Sequence, residues 1–379
     1  MESLLSSIID MMVVAALTTF IALALTLYFV GYYLTAPTPS SAGTITEIVV
    51  YPLKSAKGIK VQSHKLDERG LAFDRLWMAV DANGSFLSQR RAPKLATIEV
   101  TKLPQSKEDP LHLSAPGTLW KDSIVVPVVS EMVYSKVVRV WDDRCHSVDQ
   151  GDEAAAWLSR VLGVDGARLV RMTDGAKRFC SSKYYPKGAT TAFSDGFPLL
   201  LANESSLAVL NDKLVARKQP PISMDRFRPN VIISGGEGES SRDAFAEDGW
   251  SRIVVGAGRG VSFGVVKPCA RCKMITIDQR TGVPDKRPSS ASTKGTPDDD
   301  DDGGGPAALA EPTATLRTFR TGELLGFRKP SWRADVFFGQ NLVHEGAVGR
   351  EIAVGDVVVA TPRRKRGLFA KGVRGVDYW

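Results

Sequence analysis

The chain has 379 residues, 43% hydrophobic and 24% charged, a globular rather than a disordered composition. That length suggests about two domains of roughly 100–200 residues each, and only four cysteines in it exclude a disulfide scaffold. Most of the net charge of +7 sits in the last 19 residues, from Thr361, with six Lys/Arg and one Asp, so the nearly neutral remainder excludes a dispersed nucleic-acid-binding surface.

Residues Met11 to Leu34 carry no charge. As a helix they span roughly 36 Å, and a bilayer core takes about 20 such residues. A cleaved signal peptide is the rival, with a basic start and an apolar core of about 7–15 residues. Glu2 and Asp10 precede the segment and no Lys or Arg does, although small residues at Thr35-Ala36 leave cleavage open. A retained single-pass anchor over 11–34 is expected, with Tyr28, Tyr32 and Tyr33 suited to the interfacial belt. The nearest positive charges, Lys54, Lys57 and Lys60, lie downstream, so the positive-inside rule puts the body in the cytosol. Reduced thiols there would agree.

Residues 35–43, TAPTPSSAG, read as a linker. The 34 Gly and 21 Pro favour a β-rich body with many turns. Thr44 to Leu53 alternates as a strand. Leu76–Val80 and Phe86–Gln89 flank Asp81-Ala-Asn-Gly84, a strong hairpin signal. Strands at Thr97–Thr101, Ile124–Val129 and Val137–Trp141 complete a first β unit, 44–145. A helix then starts at a cap on Asp149, buries Ala155, Trp157, Leu158 and Leu162, and ends at Gly163. A second begins near Asn203 with Leu207, Leu210 and Leu214 on one side. Strands at Asn230–Ser234, Ile253–Val255, Val261–Val266 and Met274–Asp278 follow. The second unit, 146–362, reads as a β-barrel or sandwich with a few helices. Residues 284–315 hold Asp298–Asp302 and then three Gly, a self-repelling run expected to be a disordered insertion. A metal site is the sharper alternative, with nothing else to fix the carboxylates. The tail, 363–379, holds Arg363-Arg-Lys-Arg366, either a contact with an anionic membrane beside the anchor or a solvated end.

The chemistry concentrates in Lys267 to Gly282, KPCARCKMITIDQRTG. Cys269 and Cys272 form C-x-x-C. Closed zinc needs two more ligands, while Cys145 and Cys180 are isolated and only four His exist. A redox pair expects a βαβ context, and this motif enters a strand-like run. What remains is one thiolate, ligand or nucleophile, beside Arg271, whose charge would lower the thiol's pKa; a structural pair of thiols is the default. Tyr51-Pro-Leu-Lys54-Ser55, Phe73-Asp-Arg75 and Asp225-Arg-Phe-Arg228-Pro-Asn230 gather Lys and Arg beside Ser and Asn, the donor set of a phosphate pocket. Each taken singly also fits a surface ion pair or a turn.

YPLKSAKGIKV, GLAFDRLWMAVDANG, FSDGFPLLLAN, FRPNVIISGG, FAEDGW and KPCARCKMITIDQRTG, in that order, resemble the MOSC-domain family, and within it the mitochondrial amidoxime-reducing component group. The resemblance runs from about Thr44 to Ala360. It implies a mainly β (α+β) fold, with an N-terminal MOSC-associated β-barrel domain, a MOSC β-barrel domain and a preceding transmembrane helix. It implies a molybdenum cofactor, Mo-molybdopterin, with Cys272 as protein ligand to the metal and catalytic centre. Cys269 would be structural. Lys54, Ser55, Arg75, Asp195, Arg228, Asn230 and Arg271 match the family's pterin and phosphate contacts. Lys54, Arg75 and Arg228 suit the phosphate, whereas Asp195 and Asn230 suit the pterin's donors and acceptors. The implied activity is reduction of N-hydroxylated compounds (amidoximes, hydroxylamines, N-oxides). Electrons would come from a b-type cytochrome and its NADH-dependent reductase, since the chain shows no flavin, haem or iron–sulfur signature. The implied location is the outer mitochondrial membrane, with the endoplasmic reticulum as the alternative. Two other readings compete. One is a cofactor-binding or sulfur-carrier module like the MOSC end of molybdenum cofactor sulfurases, whose pyridoxal-phosphate domain has no counterpart here. The other is a tethered interaction protein with a vestigial site.

Overall fold

The computed structural model describes residues 2–34, 37–116, 122–129, 135–185, 187–235, 244–256, 260–285 and 309–363. Helix α1, Glu2–Leu34, precedes the body. Its side chains are described over Met11–Leu27 and at Val30, and every one is exposed. The hydroxyls of Thr18, Thr19 and Thr26 turn back onto carbonyls of the same helix, at 2.7–2.9 Å. Among the described residues no helix is long and apolar enough to cross a membrane. The expected span is therefore not shown; Met11–Leu27 falls a little short of the roughly 20 residues of a bilayer core. The side chains of Tyr28, Tyr32 and Tyr33 lie outside the described residues.

Seven strands close into a barrel: β1 Ser40–Val50, β2 Leu199–Asn203, β3 Val231–Ile233, β4 Trp250–Val255, β5 Val261–Arg271, β6 Val336–His344 and β7 Val357–Pro362. Round the barrel the order is β1-β3-β2-β6-β5-β4-β7 and back to β1. Every pair is antiparallel except β2–β3. A parallel pair needs a crossover, which helix Glu204–Ala216 supplies, capped by the Asn203 side chain on Ser205 N. Ile45, Ile48, Val231, Ile253, Phe263, Leu342 and Val358 fill the interior. Strand β1 therefore belongs to this barrel and not to the first unit, as its sequence position suggested. At its bulge, Gly43 has φ +105°, and a Cβ there would meet Ser234 O at 1.9 Å.

The first unit pairs two small sheets. One runs Trp77–Val80, Arg168–Met172, Asp143–Asp149, Ser135–Val140 in spatial order; the other runs Glu99–Lys102, Leu111–Ala115, Asp122–Val126. Helix Asp152–Leu162 packs into their shared core through Ala154, Trp157, Leu158, Val161 and Leu162. The boundary expected at Cys145 thus falls inside a strand, and the unit extends through Met172. Asp149 does not cap the helix, whose N-cap is Gly151; the Asp149 carboxylate instead accepts from Gly151 N and pairs with Arg168. Gly163 ends it in the left-handed region, φ 69°, as expected.

Two further boundaries move. The strand expected at Met274–Asp278 is a 3-10 turn, Lys273–Thr276, because buried Ile275 and Ile277 alternate equally well in a tight turn closed on the Cys272 and Met274 carbonyls. The insertion read over 284–315 is narrower. Leu309, Thr313, Ala314 and Thr315 are buried, the last three in helix Thr313–Arg317, which packs on helix Glu204–Ala216 and β6. Asp298–Asp302 lie outside the described residues, as does the tail from 364. Arg363, assigned to the tail, closes the barrel edge: its N–H bonds Gly249 O and its guanidinium bonds Val265 O.

Candidate active site

Lys54, Ser55, Arg75, Asp195, Arg228, Asn230, Arg271 and Cys272 all line one cavity between the first unit and the barrel, of about 890 Å³ counting its open part. The backbone explains the convergence. Seven non-glycine residues among those described adopt positive φ, and four of them (Ser55, Arg75, Trp141 and Arg228) line this cavity. Such conformations cost energy and gather where a site requires them. Strand β5 carries two irregularities, one at Val265/Lys267 just before the C-x-x-C motif and one at Pro268/Ala270 spanning its first cysteine. Bulges re-aim side chains and accommodate proline, and here they bring Cys269 and Cys272 into the cavity wall.

At one end, Arg75 and Arg228 both stand over the buried Tyr51 ring, with guanidinium carbons 4.2 and 4.4 Å from its centroid. Arg75 donates to Asp74 Oδ2 at 2.5 Å, to Asn230 Oδ1 at 2.9 Å and to Arg228 O at 3.1 Å. Burial pushes the Tyr51 hydroxyl up to about 12, against the pull of both arginines. Burial also lowers Arg228, to about 10, which still leaves it charged at neutral pH. Its Nη2 is buried with no hydrogen-bond partner, as is Arg271 Nε, and neither residue forms an ion pair among the described residues. Six cationic side chains line the cavity against one carboxylate, Asp195. Among the cavity's cations, Lys54 pairs with Asp195, Arg75 with Asp74 and Arg226 with Asp285.

Asn230 is 1% exposed, and its amide is fully used. Nδ2 donates to Val49 O and Asp74 Oδ1, while Oδ1 accepts from Arg75 Nη1 and Leu200 N. Four bonds exhaust an amide's strong sites, so Asn230 positions Arg75 and has nothing left for a pterin. Lys54 Nζ bonds Phe193 O and Asp195 Oδ1, both at 2.7 Å. Its recess desolvates Asp195, but Lys54 and the Trp141 indole N–H hold its carboxyl well below the usual range. Burial lowers Lys54, and Asp195 opposes that.

Cys272 is solvent-accessible within this recess, and Cys269 is half-buried. The crowding around Cys272 raises its thiol pKa, outweighing the Met274 N–H and the fields of Arg90 and Arg271. The expected activation by Arg271 therefore does not win at Cys272. Arg271 instead donates to Cys269 Sγ at 3.0 Å and to Phe227 O at 2.7 Å. Cys145 and Cys180 are buried elsewhere.

Sequence reading missed several residues. Arg178 donates to the carbonyls of Ala192, Ser194 and Asp195 and so pins the Asp195 loop. Gln89 and Gln279 exchange amide bonds, and Gln89 also holds Ser55 O at 2.8 Å. Trp141 roofs the cavity, with Phe86 and Arg90 against its ring. The one local signal was Trp141 itself, a bulky residue at φ 53° in the two-residue turn between paired Val140 and Asp143, where Asn or Gly is usual.

The arrangement suits a phosphate-bearing cofactor with a soft metal. Arg228 and Arg271 are unneutralised cations with unfilled donors, and Cys272 is an accessible sulfur donor.

Residues 42–165 match the MOSC N-terminal beta barrel domain, and residues 189–303 match the MOSC domain. The chain is 31% identical over 255 residues to mitochondrial amidoxime reducing component 2 of Bos taurus, covering 65% of this chain and 69% of that one. It is also 31% identical to mitochondrial amidoxime-reducing component 1 of Mus musculus, covering 65% and 68%. Molybdenum cofactor sulfurase of Danio rerio is 31% identical over 269 residues, but only 30% of its length is covered. Six ordered sequence blocks, a closed β-barrel and both domain matches agree: the chain belongs to the MOSC-domain family, with amidoxime-reducing components among its relatives.

Proposed function

We propose that the protein is a molybdenum-cofactor oxidoreductase that reduces N-hydroxylated compounds to amines. The observation that carries this reading is the polarity of the cavity, with unpaired guanidinium donors of Arg228 and Arg271 on one side and the accessible Cys272 thiol on the other. Mo-molybdopterin bound here would supply a two-electron centre able to accept an oxygen atom. Arg228, with Arg75 braced behind it by Asp74 and Asn230, would hold the phosphate. Ser55 and Arg271 would bound the pterin, and Cys272 would give up its proton to become the metal's protein ligand. Asp195, kept ionised by Lys54, acts as an acceptor and cannot be the proton source near neutral pH. It orients an N–H or O–H of cofactor or substrate beneath the Trp141 roof. Overall, R–NH–OH takes two electrons and two protons and leaves as R–NH2 and water.

The electrons come from outside, from a b-type cytochrome and its NADH-dependent reductase. Helix α1 anchors the body to a membrane, which places it beside such a chain; the exposed apolar run Met11–Leu27 and the internally satisfied threonines support this. The relatives' names support a mitochondrial association; the outer membrane, with the body in the cytosol, is our reading of the positive charges downstream of α1. The test is metal and pterin analysis of the purified chain, with amidoxime reduction driven by reduced benzyl viologen. One molybdenum and one pterin per chain with turnover is the expected result. Bound cofactor without turnover would favour the sulfur-carrier reading, for which the sulfurase match is the support.

A further inference from the structure

Three lysines converge on one tyrosine beside the cavity. The Lys267 and Lys183 ammoniums lie 4.9 and 5.9 Å from the Tyr184 ring centre, and the Lys329 ammonium donates to the Tyr184 hydroxyl at 3.3 Å. Lys267 and Lys329 also stand 5.3 and 4.8 Å from the Trp332 ring. Lys183 is exposed, and the other two are half-buried. Among the described residues none of the three forms an ion pair. The Asp335 carboxylate, pushed up by burial, lies in the field of Lys329 and Lys267. Three like charges are thus gathered on aromatic rings, with no ion pair among the described residues to offset them. Such a patch repels itself unless something acidic covers it.

The patch is wired to the cavity. The Tyr184 ring meets Phe197 edge-on at 6.4 Å, and Lys267 stands 5.8 Å from that same ring. Phe197 lines the cavity. Lys267 lies on β5 two residues before Cys269, and its carbonyl accepts from Asn341, another cavity residue. A partner seated on Tyr184 is therefore one ring removed from the site.

The geometry points to this three-lysine face as the docking surface for an acidic electron-donor protein, an inference that rests on the reductase reading. Charge complementarity selects the occupant, an acidic protein surface whose carboxylates ring a one-electron carrier. Each docking delivers one electron, so a turnover takes two reduced donors, which leave oxidised, and two protons from water.

The test compares the full cofactor-loaded chain with Lys183→Glu/Lys329→Glu, both away from the cavity lining, and with Lys267→Gln as a milder second variant. The probes are a soluble acidic b-type cytochrome and reduced benzyl viologen. With the cytochrome, kcat/KM should fall at least about tenfold at low salt. The gap should close toward 1 M salt, where the Debye length shrinks to about 3 Å. The viologen-driven rate should hold, and affinity for the oxidised cytochrome, measured without turnover, should drop in parallel. An unchanged cytochrome rate, or equal loss with both donors, would overturn the proposal. So would a dependence on the lysines seen only with anionic lipid present, which would assign the face to the membrane. A wild type inactive with viologen would sink the reductase reading alone, since the binding measurement still reads the docking face.

Discussion

Cys269 and Cys272 share a motif but not an environment. Cys269 Sγ accepts a guanidinium hydrogen bond from Arg271, while Cys272 opens to the cavity. Cys272→Ala should abolish viologen-driven N-reduction, because alanine offers a metal no donor atom, and Cys269→Ala should retain much of it. A ratio near one between the two, normalised to bound pterin, would remove Cys272 as sole ligand. A second contrast concerns the arginines of Asp225–Asn230. Arg228 Nη2 lacks a partner, whereas Arg226 is engaged by Asp285 at 2.6 Å and by Ile275 O. A charged hydrogen bond contributes about 1.5–3 kcal/mol, roughly ten- to hundredfold in affinity. Arg228→Ala should therefore lower pterin occupancy, while Arg226→Ala should lower the melting temperature and leave occupancy per folded chain intact. Equal occupancy in both would place Arg228 outside the pocket. The charged members of this site were legible because Lys and Arg beside turn residues stand out in sequence. The role of Asn230 was not, since its amide is saturated by Val49, Asp74, Arg75 and Leu200, groups 30 to 181 residues away.

Among the elements, periodicity located the strands and the two longer helices but not their partners. Strand β1 alternates as expected, yet its neighbours are β3 and β7, from the middle and the end of the chain. Nothing in a local pattern announces pairing at such separation. Likewise helix Thr313–Arg317 was hidden behind the acidic run. A deletion of 289–308 should leave the melting temperature nearly unchanged on compositional grounds. Extending it through Thr315 should lower the midpoint by several degrees, because Leu309, Ala314 and Thr315 are buried. Equal midpoints would show that this helix contributes no packing. The 3-10 turn Ala246–Gly249 carries another consequence. Glu247 is fully buried against Ser206 and Asn203, and burial, with Asp248 beside it, pushes its carboxyl up to about 7. Arg320, bonded to Asp248, pulls the other way. The folded state then holds this proton more tightly than the unfolded chain. The stability contributed is full below about 4.5 and is lost as pH rises to about 7. Glu247→Gln should remove that slope, so wild type should lose stability relative to the variant between pH 5 and 7.5 in paired thermal melts. Parallel pH profiles would place the titration elsewhere.

For the molecule as a whole, the closed barrel fixes where the chain's two ends leave the body. Ser40 at the start of β1 pairs with Ala360 near the end of β7, so the linker after α1 and the residues beyond Pro362 depart from the same end of the barrel. A membrane holding α1 would face that end, and if the tail cations after Arg363 reached its surface, each would contribute about 1 kcal/mol on anionic lipid. Composition made the apolar segment and the basic tail legible as segments, but only the β1–β7 pairing sets Ser40 beside Ala360. It also sets the truncation point. A body beginning at Ser40 keeps all of β1, whereas one beginning at Thr44 loses the Ser40–Ala360 and Ser41–Val359 pairs and the Gly43 bulge packed on Ser234. Residues 40–379 should therefore be soluble, folded and cofactor-loaded, and 44–379 should melt several degrees lower. The full chain should stay with membranes through an alkaline wash, and its tail should resist trypsin more in vesicles containing phosphatidylserine than in neutral ones. Release of the intact chain by the wash would remove α1 as an anchor. A soluble chain starting beyond Ala36 would show a cleaved leader instead, and either result would leave the barrel chemistry to be judged on the cavity alone.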